Sequence, residues 1–197
     1  MELRATALWM TRIGGEGQAE TDLAELVQRA VAGDRSAFEQ IVVRFERRVL
    51  LLSWRLLGSH EDAEDAAQEV FLRAYKYLHR FDDKRAFEPW LVRLTVNVCH
   101  DLGRLRKLTV PLEPELLQAA GDPHSELSSE QRRQSLYRAL AALPEKERAA
   151  VVLRDIEGLP TTEVAEILGS SEATVRSQIS TARLKIKKAV QKMRGRK

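Results

Sequence analysis

Apolar residues recur along most of this chain at the three- and four-residue spacing of an α-helix, and no segment alternates at period two for long enough to make a sheet. Leu23, Leu26, Val27, Ala30 and Val31 share one face of a first helix, which starts at Thr21 and closes at Gly33-Asp34. A second helix presents Phe38, Ile41, Val42, Phe45, Val49, Leu52 and Leu56 and ends at Gly58. Ser59 then caps a third helix running to about Leu78. Its first turns hold Glu61, Asp62, Glu64 and Asp65, acids that suit the positive end of a helix dipole. A polar loop from Arg80 to Phe87 precedes Pro89, which sits in the first turn of a fourth helix reaching about Arg106.

The periodicity stops between Leu108 and Gln131. Pro111, Pro114, Pro123 and Gly121 break helix there, and five acids (Glu113, Glu115, Asp122, Glu126, Glu130) appear without a basic residue, the composition of an extended acidic linker. Helical spacing resumes near Arg132, with one helix ending around Leu143-Pro144 and another from Glu145 to Ile156 before Gly158. The expected architecture is all-α: two small helical domains on a flexible acidic tether. Residues 1–20 form a frayed tail, 21–107 the first domain, 108–131 the linker, 132–190 the second domain and 191–197 a basic tail.

Composition adds one fact that the pattern hides. The net charge of +3 is segregated: nine basic residues and no acid lie between Ala173 and Lys197, leaving 23 basic against 29 acidic residues elsewhere. A strongly basic end on an acidic chain points to a polyanion, nucleic acid first, with a solvated basic tail as the alternative. Cys99 is the only cysteine, so neither a disulfide framework nor a cysteine-rich zinc site can form within the chain. The histidines are scattered without ligand spacing, and no metal or cofactor is expected. No apolar run approaches the length of a membrane span, and the N-terminus lacks the apolar core of a signal peptide, so a cytoplasmic protein without membrane insertion is expected.

Two local motifs carry chemistry. A short helix over Thr162 to Leu168, a tight turn at Gly169-Ser170-Ser171 and a helix from Glu172 to about Val190 compose a helix-turn-helix or a generic helical hairpin. Val175, Ile179, Ala182 and Ile186 face inward. Arg176, Ser177, Gln178, Ser180, Thr181 and Arg183 face outward, with Lys187 further along. These side chains suit base edges and phosphates. In the third helix Asp65, Gln68 and Glu69 share a face at i, i+3 and i+4 and form, with Asp62, an acidic stripe opposite Ala66, Val70 and Ala74. No histidine stands in register for acid–base or metal chemistry. The stripe is a docking face for a basic partner helix or an idle solvated face, and the chain is read as a non-enzyme.

The chain resembles the extracytoplasmic-function (ECF) sigma factors, the smallest members of the sigma-70 family of bacterial RNA polymerase sigma factors. Its pieces stand in family order: Gly33-Asp34 with Ala37-Phe38, Arg55 to Gly58, Asp62 to Ala74, Phe87 and Trp90-Leu91 with Asn97, Leu143-Pro144, Leu153-Arg154, and Ala173 to Ser177 with Ala182-Arg183. The resemblance implies a sigma region 2 domain, a sigma region 4 domain and transcription initiation at −10 and −35 promoter elements. It implies that Asp62, Asp65, Gln68 and Glu69 bind the β′ clamp helices of core RNA polymerase, whose β flap is a further contact. The loop Arg80, Phe81, Asp82, Asp83, Lys84, Arg85, Ala86 and Phe87 then pockets a flipped −10 base. Asn97 contacts a base, while Arg104, Arg106 and Lys107 hold phosphates. Arg176, Ser177, Gln178, Ser180, Thr181, Arg183 and Lys187 face the −35 element. An anti-sigma factor is an implied partner, and the acidic linker is matched to the polymerase's RNA exit path.

Two stretches depart from the family pattern. Gln178, Ser180 and Thr181 stand where relatives often have arginine or another large side chain, which implies an uncommon −35 sequence. Thr161-Thr162 replaces an aromatic or hydrophobic residue ahead of the short helix. The rival readings are a helix-turn-helix regulator that does not associate with core polymerase, and a nucleic-acid enzyme such as a recombinase.

Overall fold

A computed structural model describes residues 16–82, 86–109 and 135–194 of the protein. Among them the chain forms α1 (Glu16–Val31), α2 (Arg35–Leu57), α3 (His60–Tyr77) with a 3₁₀ turn at Leu78–Arg80, and α4 (Phe87–Thr109). After α5 (residues 135–141) come α6 (Glu145–Val151), a π-helical turn at Val152–Ile156, α7 (Thr161–Ile167) and α8 (Glu172–Arg194). No strand occurs among the described residues. Residues 1–15, most of the expected linker, Asp83 to Arg85 and the last three residues lie outside them.

Capping sets the joints of the first helical group. Asp34 is extended, and its carboxylate accepts the backbone N–H groups of Ser36 and Ala37 at 3.0 and 3.2 Å, which starts α2. Gly58 ends α2 in the left-handed conformation (φ 80°), donating its N–H to the Trp54 carbonyl at 2.8 Å. One residue later the Ser59 hydroxyl accepts the Asp62 N–H and starts α3. The fully buried Ile41 and Leu52 of α2 share one core with Ala66, Val70 and Ala74 of α3, and the small alanines let the two helices pack closely. Leu91, Val92, Val96 and Val98 of α4 join the same core.

Three boundaries differ from the sequence expectation. The first helix begins at Glu16 rather than Thr21, because its first residues include good helix formers that carry no apolar stripe to betray them. The last helix runs on to Arg194, beyond Val190. The expected single helix from Glu145 to Ile156 widens over its last five residues into a π turn, closed by Glu157 N–H on the Val152 carbonyl at 2.9 Å. Thr161-Thr162 does not unseat α7: Val164 is fully buried and Ala165 and Ile167 nearly so.

The second helical group closes on Val152, Leu153, Val164, Val175 and Ala182, all fully buried, and its core is continuous with that of the first. Trp54 of α2 packs against Tyr137 of α5 with ring centroids 4.3 Å apart and the planes tilted by 51°. Glu157, at the end of the π turn, reaches back to Arg55 (3.1 Å) and Arg48 (3.4 Å) of α2, and Arg48 also pairs with Glu88 of α4. Its side chain is only 6% exposed. An ion this buried needs its partners: removing one side of such a pair typically costs about 3–5 kcal/mol, against about 0–1 kcal/mol for a surface pair. The Arg148 guanidinium of α6 lies beside Gly58, at the negative end of the α2 dipole, where burial lowers its proton affinity below the usual arginine range.

The Asp34 cap generates a pH prediction. Hydrogen bonds from Ser36, then Arg29 and Ala37, hold its carboxyl at about 2. A folded value below the unfolded one, about 4, means that the cap's stabilisation is present above pH 4 and disappears as pH falls from there towards 2. Asp34→Ala is expected to melt below wild type at pH 7, with the two curves converging between about pH 4 and 2. Circular-dichroism melts across that range check it, and an undiminished gap at pH 2 contradicts it.

Candidate functional site

Asp65 and Gln68 stand exposed on α3, with Asp62 half-buried one turn earlier. Glu69 is not free: the Arg73 guanidinium holds it at 2.6 Å and reaches Asp101 of α4 at 2.9 Å. Those hydrogen bonds, Asp101's first and Glu69's second, raise Arg73's proton affinity. Arg73 was not singled out in the sequence, although its i+4 spacing from Glu69 was a readable signal. The stripe then turns apolar, since Leu72 and Tyr75 are 67% and 52% exposed on the same side of α3. Spacings of seven and ten residues from Asp65 put them there, and a Leu and a Tyr on an otherwise polar face were the clue.

The loop after α3 divides into wall and rim. Phe87 is 5% exposed, in contact with Phe45, Phe81 and Trp90 at centroid distances of 5.7, 5.6 and 5.4 Å. It belongs to the core wall, and Trp90 anchors α4 in the same cluster. Phe81 is half-buried, while Arg80, Asp82 and Ala86 are exposed. Asp83, Lys84 and Arg85 lie outside the described residues.

Asn97 and Arg104 are exposed on α4 seven residues apart, and Arg93 and His100 complete their stripe at i, i+4, i+7 and i+11. The side chains of Arg106 and Lys107 lie outside the described residues. Arg93 pairs with Glu166 at 3.0 Å and His100 lies 3.8 Å from Glu145, both acids from the second helical group. Neither neighbour was visible in the sequence, because residues more than forty positions apart meet only through packing.

α7, the left-handed Gly169 (φ 56°) and α8 make the helix-turn-helix. Ser171 starts α8 by accepting the Thr174 N–H at 3.2 Å. Arg176, Ser177, Ser180, Arg183 and Lys187 form the outward face, whereas Gln178 and Thr181 are half-buried and turn towards the inner side. Arg176 pairs with Glu172 one turn earlier. Arg183 forms a bidentate pair with Asp155 of the π turn at 2.8 and 2.6 Å. It therefore braces α8 as well as lining its face.

Cys99 is buried, and desolvation pushes its thiol up to about 11, so a reactive thiolate is suppressed at neutral pH. Among the described residues no three His, Cys, Asp or Glu side chains gather in a metal-holding group, and no helix is long and apolar enough to cross a membrane.

Comparison with known proteins places these surfaces in context. Residues 41–109 match the family described as sigma-70 region 2, and residues 133–186 the family described as sigma-70, region 4. The chain is 35% identical over 178 residues to the ECF RNA polymerase sigma-E factor of Escherichia coli, covering 84% of this chain and 93% of that one. It is 36% identical over 176 residues to the ECF RNA polymerase sigma factor SigM of Mycobacterium tuberculosis, covering 88% and 87%. Among solved structures it is similar to CnrH in complex with the cytosolic domain of CnrY (29% identity, TM-score 0.62, 86% of this chain and 97% of that one). The fold is shared with RpoE bound to the anti-sigma factor NepR from Bartonella quintana (21% identity, TM-score 0.66, 78% and 96%).

The Arg183–Asp155 brace predicts a measurable coupling. Asp155→Ala and Arg183→Ala are each expected to destabilise the protein by about 1 kcal/mol, the discounted value for a pair this exposed, and the double variant by less than their sum. Denaturant unfolding of the four proteins gives the cycle. Strict additivity would mean that the pair is only a contact.

Proposed function

Since this chain belongs to the ECF sigma factors of the sigma-70 family, we propose that its work as an alternative RNA polymerase sigma factor divides among three faces of one helical framework. The observation behind this reading is that Asp65 and Gln68 on α3, Asn97 and Arg104 on α4, and the Arg176-to-Lys187 face of α8 are all exposed, on helices anchored by one continuous core. Residues 21–107 act as the core-polymerase and −10 domain, 132–190 as the −35 domain, and 108–131 as the acidic linker between them.

On α3, Asp62, Asp65, Gln68 and Glu69 receive the β′ clamp helices. Carboxylates and an amide suit that task because they accept charge-assisted hydrogen bonds from partner arginines. Glu69 must exchange Arg73 for the incoming donor, while Arg73 keeps Asp101. On α4, Asn97 reads a base and Arg104 a phosphate. Phe81 and the rim of the Arg80–Phe87 loop supply stacking for an extruded base, whose release from the helix costs a few kcal/mol. On α8, Arg176, Ser177, Ser180, Arg183 and Lys187 face the −35 groove, with Gln178 and Thr181 in a supporting place at its edge. The second domain also meets the β flap. Both solved relatives named above are captured with a binding partner, in one case an anti-sigma factor, and this chain is proposed to be restrained by an anti-sigma factor as well. It works in the cytoplasm, without catalytic activity of its own.

Asp65→Lys combined with Glu69→Lys is expected to abolish co-purification with core polymerase while leaving helix content unchanged. Asp65 is exposed, and Arg73 retains Asp101. Like charges facing each other at a docking surface cost several kcal/mol. Retained binding in a pull-down removes the docking assignment.

The two α4 contacts should separate in transcription assays on a promoter library. Asn97→Ala is expected to relax base preference at one −10 position, by about 1–3 kcal/mol for a bidentate contact, whereas Arg104→Ala weakens opening at all promoters alike. An unchanged −10 preference for Asn97→Ala contradicts the base-reading role.

A further inference from the structure

We propose that the end of α3 forms a seat for one further nucleotide of single-stranded DNA, with the Tyr77 ring as a platform for its base and Lys76 and Arg80 as clamps for its phosphate. The inference rests on the −10 reading of the Arg80–Phe87 loop given above, and adds to it a subsite beside the extruded base.

Three observations meet at this point of the fold. Tyr77 is the last residue of α3 and stays 37% exposed, although the same helix carries Val70 and Ala74 into the core. Lys76 Nζ lies 5.4 Å and the Arg80 guanidinium carbon 5.8 Å from the centroid of its ring, close enough for each cation to be drawn to the aromatic face. Neither cation meets a carboxylate among the described residues, whereas Arg73 of α3 and Arg93 of α4 are each answered by an acid. His79 accepts the Arg80 Nε–H at 3.2 Å, which fixes one edge of the guanidinium while the side chain stays exposed.

A lysine or arginine at a helix C-terminus answers the dipole and needs no ring. Two of them gathered on one exposed tyrosine make the combination by which proteins hold single strands: an aromatic face that accepts any base, and positive charge that tracks the backbone. Stacking of a base outweighs an exposed cation–π contact, so the arriving base displaces a cation from the ring, and that cation pairs with the phosphate. The 3₁₀ turn Leu78–Arg80 rises about 2 Å per residue, which sets Tyr77 about 8 Å from Phe81 along the chain. Phe81 is fixed in turn against Phe87 and Trp90, at centroid distances of 5.6 and 5.3 Å. Two rings so spaced on one turn serve neighbouring nucleotides of one strand, the first extruded at the loop and the second laid on Tyr77.

The test uses the full chain bound to core polymerase, on a promoter whose non-template strand carries 2-aminopurine at one position at a time. Stacking quenches the fluorescence of this base. At one position beside the extruded base, wild type is expected to quench the probe, Tyr77→Ala to release it and Tyr77→Phe to keep the quench. Affinity of the same complex for a single-stranded −10 oligonucleotide should fall roughly tenfold in Tyr77→Ala, equivalent to about 1.4 kcal/mol and within the span for one stacked base. Lys76→Ala changes only an exposed lysine. It should leave the quench in place while lowering the log–log salt slope by about 0.7, the share of one single-strand phosphate. Identical probe fluorescence for wild type and Tyr77→Ala at every position, or an unaltered salt slope for Lys76→Ala, overturns the proposal. Failure of the −10 reading itself shows separately, as an Asn97→Ala complex of unchanged −10 preference.

Discussion

A helix of 23 residues is about 34 Å long, and α2 divides that length between two sets of neighbours. One side runs through Ala37, Ile41, Phe45, Val49 and Leu52, which are inserted among α1, α3 and α4. The other presents Arg48, Trp54 and Arg55 to the second helical group. A helix so committed cannot rotate to improve one contact without losing the other. The joints at Asp34 and Gly58 fix where it begins and ends, and Ser59 turns the chain at once into α3. The directions in which the α3 and α4 stripes point are consequences of that one placement.

The proposed faces share a physical logic. Each consists of polar or charged side chains on a rigid helix whose apolar residues pack on the opposite side. Such surfaces are pre-organised, so docking costs little conformational freedom, and their charges steer and select a partner more than they hold it. Several charges are already occupied: Glu69 by Arg73, Arg176 by Glu172, Arg183 by Asp155 and Arg93 by Glu166. A partner docking on these faces as proposed exchanges ion pairs rather than adding new ones. That keeps affinity modest per contact and sensitive to ionic strength.

Much of the fold was legible along the chain because a helix writes its inner face at a spacing of three to four residues. Leu23 to Ala30, Ile41 to Leu56 and Val175 to Ala182 are buried as their spacing implied, and Ser59, Gly58 and Gly169 mark the turns expected of them. The Asp65–Gln68 stripe was likewise visible, since exposure on the far side of a helix follows from the burial of Ala66 and Val70. Glu16 was invisible as a starting point because the residues after it carry no apolar stripe in the sequence. The π turn was invisible too, because one extra residue per turn leaves hydrophobic spacing almost unaltered while redirecting Glu157.

Helix positions, the joints between them and the outward faces of α3 and α8 were determined by the sequence alone, because each depends on contacts within a few residues. Which acid meets which base was decided only by the tertiary structure. Glu157 is one carboxylate among twenty-nine acids until the π turn carries it 102 positions back to Arg55, and Glu166 and Arg93 are unrelated until the fold brings their side chains within 3.0 Å. Gln178 and Thr181, expected to face outward, are half-buried because their register puts them beside the buried stripe: Gln178 lies three residues from Val175 and four from Ala182. Local periodicity specifies a face; only the assembled core specifies what that face looks at, since the energy that orients it comes from contacts far apart in the chain.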